Sequence, residues 1–266
     1  MAIKRLDLIM TQQNLADSRS RAQAMIKAGS VYVAGNQVLK SGALYEEDIQ
    51  IEVRGDYCPY VSRGGLKLEK ALRDFGVDPA GLVCSDSGAS TGGFTDCLLQ
   101  QGAKKVFAID VGTDQLVDKI RNDPRVVVME QTNIRYVTPA DLGEPLDLSV
   151  VDVSFISLKL VLPAIKNLLK QNSGQVLCLI KPQFEAGKEH IGKKGVIRDP
   201  AVHKLVLDGF VALAAELGLA ILGLTHSPVK GPEGNIEFLG HLSLSGEGIV
   251  PDTTALVKTA HDTFKV

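Results

Sequence analysis

The 266-residue sequence is short of most features that mark a specialised class of protein. Its four cysteines, Cys58, Cys84, Cys97 and Cys178, form no CxxC pair, and three of them sit in apolar runs as buried thiols do. That usage fits a reducing compartment. The N-terminus, MAIKRLDLIM, lacks the apolar stretch and small-residue cleavage site of a secretory leader. The best candidate span, residues 211–224, is too short for a bilayer and contains Glu216 and Gly218. A cytoplasmic protein without a membrane partner is expected. Basic charge is not in excess either: 29 Lys and Arg stand against 31 Asp and Glu, which excludes a histone-like polycation. His190, His203, His226, His241 and His261 are scattered, with no HExxH and no close Cys/His group, so no metal site is expected. Internal repeats, low-complexity runs and any pattern specifying an oligomeric state are missing as well.

What is present is an ordinary globular composition, 45% hydrophobic and 23% charged, in a length that suits one large domain or two unequal ones. Charge is uneven along the chain. Residues 1–40 hold Lys4, Arg5, Arg19, Arg21, Lys27 and Lys40 against only Asp7 and Asp17. There Leu6, Ile9 and Met10 recur at helical spacing, and Asp17 or Ser18 can cap a second helix that carries Ala22, Met25 and Ile26 and stops at Gly29. SVYVAGNQVL then alternates, turns at Gly35-Asn36 and resumes, and DIQIEV alternates again as a small sheet. This predicts a compact α+β module. RGDYCPYVSRGG breaks both periods, which puts the boundary near residue 62 and the domains at 1–62 and 63–266.

Beyond it, strand-length apolar runs alternate with helix-length segments: LVCSDS, VFAID, VVVME, LDLSVVDVS, QVLCLIK, AILGLTHS and FLGHLSL. Alternation of this kind predicts an α/β fold, a parallel sheet with helices on both faces. The last two runs are joined only by a Pro/Gly-rich loop, which suits an antiparallel hairpin. A mostly parallel, seven-stranded, Rossmann-like sheet with that ending resembles the class I methyltransferases.

The strongest local signal is Asp86-Ser-Gly88-Ala-Ser90-Thr-Gly92-Gly93, at the end of LVCSDS and before a helix. Glycines there let backbone approach a ligand. Ser90 breaks the GxGxxG spacing of a dinucleotide site, and Asp-x-Gly-x-x-x-Gly-Gly instead resembles the S-adenosylmethionine loop of methyltransferases. Asp110 ends the next strand, where a carboxylate can accept hydrogen bonds from both ribose hydroxyls. A second pattern, Gly187-x-x-x-x-Gly192-Lys193-Lys194, fails as a phosphate loop because Lys194 replaces the Ser or Thr that holds magnesium, and GVIRDP follows instead of a helix. It reads as a basic loop in which Lys188, Lys193, Lys194 and Arg198 can contact phosphates or simply form a solvated surface.

Asp152 in VVDVSF and Lys181 in CLIKPQFE fall at the carboxyl ends of proposed strands, the edge where open α/β sheets bind ligands. Lys67, in SRGGLKLEK, and Glu237, in GNIEFL, can join them. Each has a plain structural reading: Asp152 as a cap, Lys181 snorkelling from an apolar run, Glu237 and Lys67 in solvent. As a group they offer a base, Lys181, with Asp152 to orient it.

At these residues the sequence resembles the bacterial TlyA (haemolysin A) family of ribosomal RNA 2′-O-methyltransferases. RLDLIMTQQNLADSRSRAQAMIKAGSVYVAGNQVLKSG is similar to the small RNA-binding domain named after ribosomal protein S-four, and YVSRGGLKLEKAL, DSGASTGGFTDCLL, VVDVSFISL, LIKPQFE and GNIEFL resemble the methyltransferase part. The catalytic part is also similar to the FtsJ (RrmJ) methyltransferases, whose Lys-Asp-Lys-Glu tetrad carries over to Lys67, Asp152, Lys181 and Glu237. The resemblance implies S-adenosylmethionine against Asp86, Gly88, Ser90, Gly92 and Gly93, with Asp110 on the ribose and Asn133 on the adenine side. It implies ribosomal RNA or ribosomal subunits as partner, with Arg5, Arg19, Arg21 and Lys27 as contacts. One position departs from the FtsJ pattern: Thr91 stands where proline is usual. Two rival readings are a ribosome-binding factor without activity and a haemolysin, the latter without a pore element or secretion signal in this sequence.

Overall fold

In the computed structural model the described residues are 3–16, 18–27, 29–54, 58–192 and 195–265, and the side chain of Lys188 lies outside them, as do Asp17, Lys193 and Lys194. The chain divides into two compact units between Pro59 and Tyr60. Tyr60 belongs to the second unit because its hydroxyl donates to Glu69 Oε1 at 2.9 Å, and the Val61 amide donates to Asp96 Oδ2 at 2.9 Å.

The first unit holds two short helices, α1 (Leu6–Gln12) and α2 (Arg19–Lys27), flanked by strands. These are β1 (Ile3–Arg5), β2 (Val31–Val33), β3 (Asn36–Gln37), β4 (Leu44–Glu46) and β5 (Ile51–Val53). β3, β2 and β5 form one antiparallel sheet, as the alternating pattern predicts. The β1–β4 pair is additional; three residues in each strand are too few to carry a readable period. Ser18 caps α2, its Oγ accepting from the Arg21 amide at 3.2 Å. The helices bury Leu6, Met10, Ala22, Met25 and Ile26 together with Val31 and Val33.

Under this small core lies a carboxylate. Asp7 has no exposed surface, and it accepts from Arg5 Nε and Nη2 at 3.0 and 2.8 Å, Arg19 Nε at 3.1 Å and Gln23 Nε2 at 2.7 Å. The Arg5 guanidinium, with Gln23 and Arg19, holds the Asp7 carboxyl well below the usual carboxylate range, against the opposing effect of burial.

The second unit is a three-layer α/β structure. Its strands are β6 (Val83–Ser87), β7 (Lys105–Ile109), β8 (Val126–Met129), β9 (Leu148–Val151), β10 (Gln175–Ile180), β11 (Ala220–His226) and β12 (Phe238–Ser243). They make a seven-stranded sheet of order β11-β12-β10-β9-β6-β7-β8. β6 to β10 pair in parallel, while β12 runs antiparallel between β10 and β11. Each of the seven apolar runs overlaps one of these strands. The helices are α3 (Gly64–Phe75), α4 (Gly93–Gln100), α5 (Asp118–Arg121), α6 (Pro139–Leu142), α7 (Leu158–Leu168), α8 (Pro182–Glu185), α9 (Pro200–Glu216) and α10 (Thr253–Phe264).

Strands buried on both faces explain the near-continuous apolar runs: Val150, Val151, Val176, Ile180, Phe238 and Leu242 are all essentially without exposed surface. Full burial of a side chain such as Phe238 contributes roughly 1.5–3 kcal/mol. Cys84, Cys97 and Cys178 are buried, and burial pushes the thiols of Cys84 and Cys97 up to about 12, which leaves them unreactive. The chain runs outward from β6 to β8 and then returns to the other side of β6 at β9, so the order reverses between β6 and β9. No helix among the described residues is long and apolar enough to cross a membrane.

Two expectations follow for stability. Replacing Asp7 by Ala removes hydrogen bonds to a charged acceptor and should cost about 1–3 kcal/mol in the first unit; faster amide exchange confined to α1 and α2 is the readout. His203 and His241 are buried, and burial lowers both to about 4, with His261 adding to the effect at His203. Both are neutral in the fold, whereas the unfolded chain takes up their protons below about pH 6.5. Their contribution is therefore complete above that pH and is lost toward pH 4, by on the order of 2 kcal/mol each at pH 5. Equal denaturant midpoints at pH 7.5 and pH 5 would contradict this.

Candidate functional site

The crevice at the β6/β9 reversal is where an open parallel sheet accepts a ligand. The two strand ends approach so closely there that a Cβ at Gly88 would lie 2.5 Å from the Asp152 carbonyl oxygen, and Gly88 has φ +90°. Glycine is thus required on both counts. The loop continues through Ser90 at φ +46° and Gly92 at φ +97° into α4. The Gly92 amide donates to the Ala89 carbonyl at 2.7 Å, so the turn closes without a proline at Thr91.

Asp110, just past β7, braces this loop: its Oδ2 accepts from the Ser90 amide at 2.8 Å and its Oδ1 from the Gly112 amide at 2.7 Å. Asp86 serves differently from the loop's glycines. It is fully buried, and its Oδ2 accepts from the Thr95 amide and hydroxyl at 2.9 and 2.7 Å, tying β6 to the first turn of α4. Burial pushes the Asp86 carboxyl up to about 7, opposed by the Thr95 hydroxyl and reinforced by Asp152. Its Oδ1 and the Ser87 hydroxyl are buried without a hydrogen-bond partner. Asn133 caps a short 3₁₀ turn, its Oδ1 accepting from the Arg135 amide at 3.1 Å.

The same crevice opens into a cavity of about 610 Å³ whose wall includes Gly88, Ser90 and Gly93 together with Lys67, Asp152, Lys181 and Glu237. These four come from α3 and from the ends of β9, β10 and β12, so 170 residues of sequence are folded into one wall. They form two ion pairs. Lys67 Nζ lies 2.6 Å from Glu237 Oε2, with both side chains buried. Lys181 Nζ lies 2.6 Å from Asp152 Oδ1, a Coulombic contact, while its directed hydrogen bond goes to Ser154 Oγ at 2.8 Å. Buried charge is tolerated here because each ammonium has a carboxylate against it.

The loop carrying Ser154 is clamped to α8 by Glu185, which accepts from Ser157 Oγ at 2.6 Å and the Leu158 amide at 2.9 Å. Burial pushes the Glu185 carboxyl up, opposed by those same two bonds. On the lip sits Phe155, 90% exposed at φ +64°, its ring 5.2 Å from that of Phe184. A bulky residue in the left-handed region is strained backbone held by its surroundings. Ser154, Phe155 and Glu185 were not among the sequence candidates, although they lie within VVDVSF and KPQFE beside residues that were. A charged residue at a strand end marks its whole following loop, and that signal could have found them.

The remaining basic candidates are distributed. Arg198 is exposed two residues before α9, and Lys188 lies in a 3₁₀ turn. In the first unit Arg5 and Arg19 share Asp7 while keeping 40% and 50% of their side-chain surface, Arg21 is half-buried, and Lys27 is exposed in the last turn of α2. Among the described residues no group of His, Cys, Asp or Glu is arranged to hold a metal ion.

Comparison with known proteins agrees with both units. Residues 60–244 match the FtsJ-like methyltransferase family, and residues 4–47 match the S4 domain. The chain is similar to YqxC of Bacillus subtilis, 48% identical over 98% of this chain and 95% of that one. It is likewise similar to the 16S/23S rRNA (cytidine-2′-O)-methyltransferase TlyA of Mycobacterium tuberculosis, 43% identical over 88% of this chain and 87% of that one. A solved structure of a hemolysin-labelled protein from Streptococcus thermophilus superimposes with a TM-score of 0.77 at 44% identity, covering 100% of this chain and 98% of the other. With matching family models on both units and such identity across nearly its whole length, the chain belongs to the TlyA/hemolysin family of FtsJ-like methyltransferases that carry an S4 domain.

Proposed function

We propose that the protein transfers a methyl group from S-adenosylmethionine to the ribose 2′-hydroxyl of a nucleotide in ribosomal RNA. The observation that carries this reading is the placement of two buried Lys–carboxylate pairs on the wall of the cavity that the glycine loop floors. The relative named as an rRNA (cytidine-2′-O)-methyltransferase supports the choice of substrate, with cytidine as the nucleotide class.

The residues present suit the cofactor. Gly88, Ser90 and Gly93 leave a floor with little side-chain bulk, Asp110 offers a braced carboxylate for a ribose diol, and Asp86 Oδ1 is a buried polar atom still lacking a partner. Gly92 supports the turn, and Asn133 stands beyond β8 on the side assigned to the adenine. S-adenosylmethionine, when bound, supplies an electrophilic methyl group.

The chain's own task is to make an alcohol nucleophilic and to aim it. After its ammonium has released one proton to solvent, Lys181 Nζ takes the 2′-hydroxyl proton as the oxygen attacks the methyl group, and Asp152 and Ser154 fix where that nitrogen points. Lys67 and Glu237, locked to each other, position the ribose from α3 and from the start of β12. Phe155 offers an aromatic face at the lip on which an unstacked base can lie. Arg5, Arg19, Arg21 and Lys27, with Arg198 and the lysines of the basic loop, supply salt-sensitive affinity for phosphates.

Replacing Lys181 by Met should lower transfer of labelled methyl to ribosomal subunits by about 10²–10⁴-fold, while the Kd for S-adenosylmethionine by calorimetry stays near the wild-type value. Label in nuclease-resistant 2′-O-methyl dinucleotides identifies the product; wild type that binds the cofactor and labels no RNA sinks the reading. Asp110→Ala should act in the opposite way, weakening cofactor binding by about 10–100-fold through loss of hydrogen bonds to a charged acceptor, with full turnover recovered at saturating cofactor.

A further inference from the structure

One side of the catalytic cavity is built from two irregular segments, residues 195–199 and 227–237, with no regular ladder between them among the described residues. Irregular backbone around a working cavity needs something to hold its shape. Among the described residues the hydrogen-bonded link between the two segments is the Asn235 side chain. Asn235 is 1% exposed; its Oδ1 accepts from the Ile197 amide at 2.9 Å and its Nδ2 donates to the Gly195 carbonyl at 2.9 Å. Donating to one residue and accepting from the residue two further on is what one residue of a neighbouring parallel strand does with its own N–H and C=O. A carboxamide does both at once, whereas a carboxylate only accepts and an aliphatic side chain does neither.

The same residue shapes the approach to Glu237. The Asn235 carbonyl accepts from the Gly231 amide at 2.9 Å, and the Gly234 amide donates to the Gly231 carbonyl at 2.9 Å, so residues 231–235 form a closed turn. That turn presses Gly231 against the catalytic pair: a Cβ there would lie 2.5 Å from Glu237 Oε1. Asn235 therefore touches the cation-bearing segment with its side chain and the turn that backs Glu237 with its main chain.

We propose that Asn235 is a positioning residue that locks the Gly195–Arg198 segment to the Glu237–Lys67 pair, so that RNA held by that segment is set in register with the catalytic wall. This rests on the methyltransferase reading above. Asn235 lies on the substrate side of the cavity, and none of its hydrogen bonds reaches the glycine loop or Asp110, so cofactor affinity is independent of it.

The test is a double-mutant cycle in the full-length protein, with Asn235→Leu and Arg198→Ala singly and together, read as kcat and KM for methylation of ribosomal subunits and as Kd for S-adenosylmethionine. Asn235→Leu should raise KM for the subunit and lower kcat/KM by about 10–100-fold, as expected when buried polar groups lose their partners, with cofactor Kd unchanged within about twofold. Arg198→Ala should raise KM in the wild-type background and add little once Asn235 is gone, because the segment is then no longer held. Asn235→Asp, which keeps the bond from Ile197 and loses the one to Gly195, should fall between Asn and Leu and covers the case in which the Leu variant does not fold. Independent, additive effects of the two substitutions overturn the proposal, as does an Asn235→Leu enzyme with wild-type kcat/KM or one whose only defect is cofactor affinity. Amide exchange at Ile197 supplies a readout without turnover: it should rise in both Asn235 variants, and protection equal to wild type overturns the lock. Inactive wild type with the exchange result as expected would instead count against the methyltransferase reading alone.

Discussion

Charge taken out of water must be neutralised where it lies, and the catalytic unit is organised around that requirement. Two ammonium groups and two carboxylates occupy one cavity wall, each pair in contact at 2.6 Å. Neither pair is local. Lys67 reaches Glu237 only because α3 and the start of β12 meet, and Lys181 reaches Asp152 only because β9 and β10 are parallel neighbours whose carboxyl ends fall side by side. The order of the sheet is therefore a condition for the pairs to exist, and the pairs tolerate burial only in that order.

Secondary features follow from the same constraint. The Asp152 end of β9 must pass close to the loop after β6, and Gly88 leaves the room. The loop bearing Ser154, which directs the Lys181 ammonium, is itself fixed to the β10 side by Glu185. Gly231 lets the Asn235 turn back directly onto Glu237. Each contact restricts where one of four charged ends can move, which is what alignment of a weak nucleophile demands. The first unit applies the rule to a different end, since a buried aspartate gathers two arginines whose outer surfaces stay in water. Pairing there reduces the freedom of these long cationic side chains.

Much of this was legible in the chain. Strands buried on both faces appear as unbroken apolar runs, so all seven were visible, and the Pro/Gly-rich connection before Phe238 announced the antiparallel ending. The glycine loop was visible because positive φ and close approach select glycine, and Asp110 because it ends a strand. The β1–β4 pair escaped because three-residue strands show no period, and the left-handed backbone at Phe155 because no glycine marks it.

By itself, then, the sequence determined the kinds of element, their order along the chain and the residue types available at their ends, since these depend on local periodicity and on backbone preferences a few residues long. Only the tertiary structure decided which ends meet. It showed that Asp86 anchors α4 while Asp110 braces the loop, that Arg5 and Arg19 share Asp7, and that Asn235 ties two irregular segments together. Apart from Arg5 and Asp7, which are two residues apart, these contacts join residues 9 to 38 positions apart, and a hydrogen bond across such a distance imprints no spacing on the chain; it is set by how the layers pack.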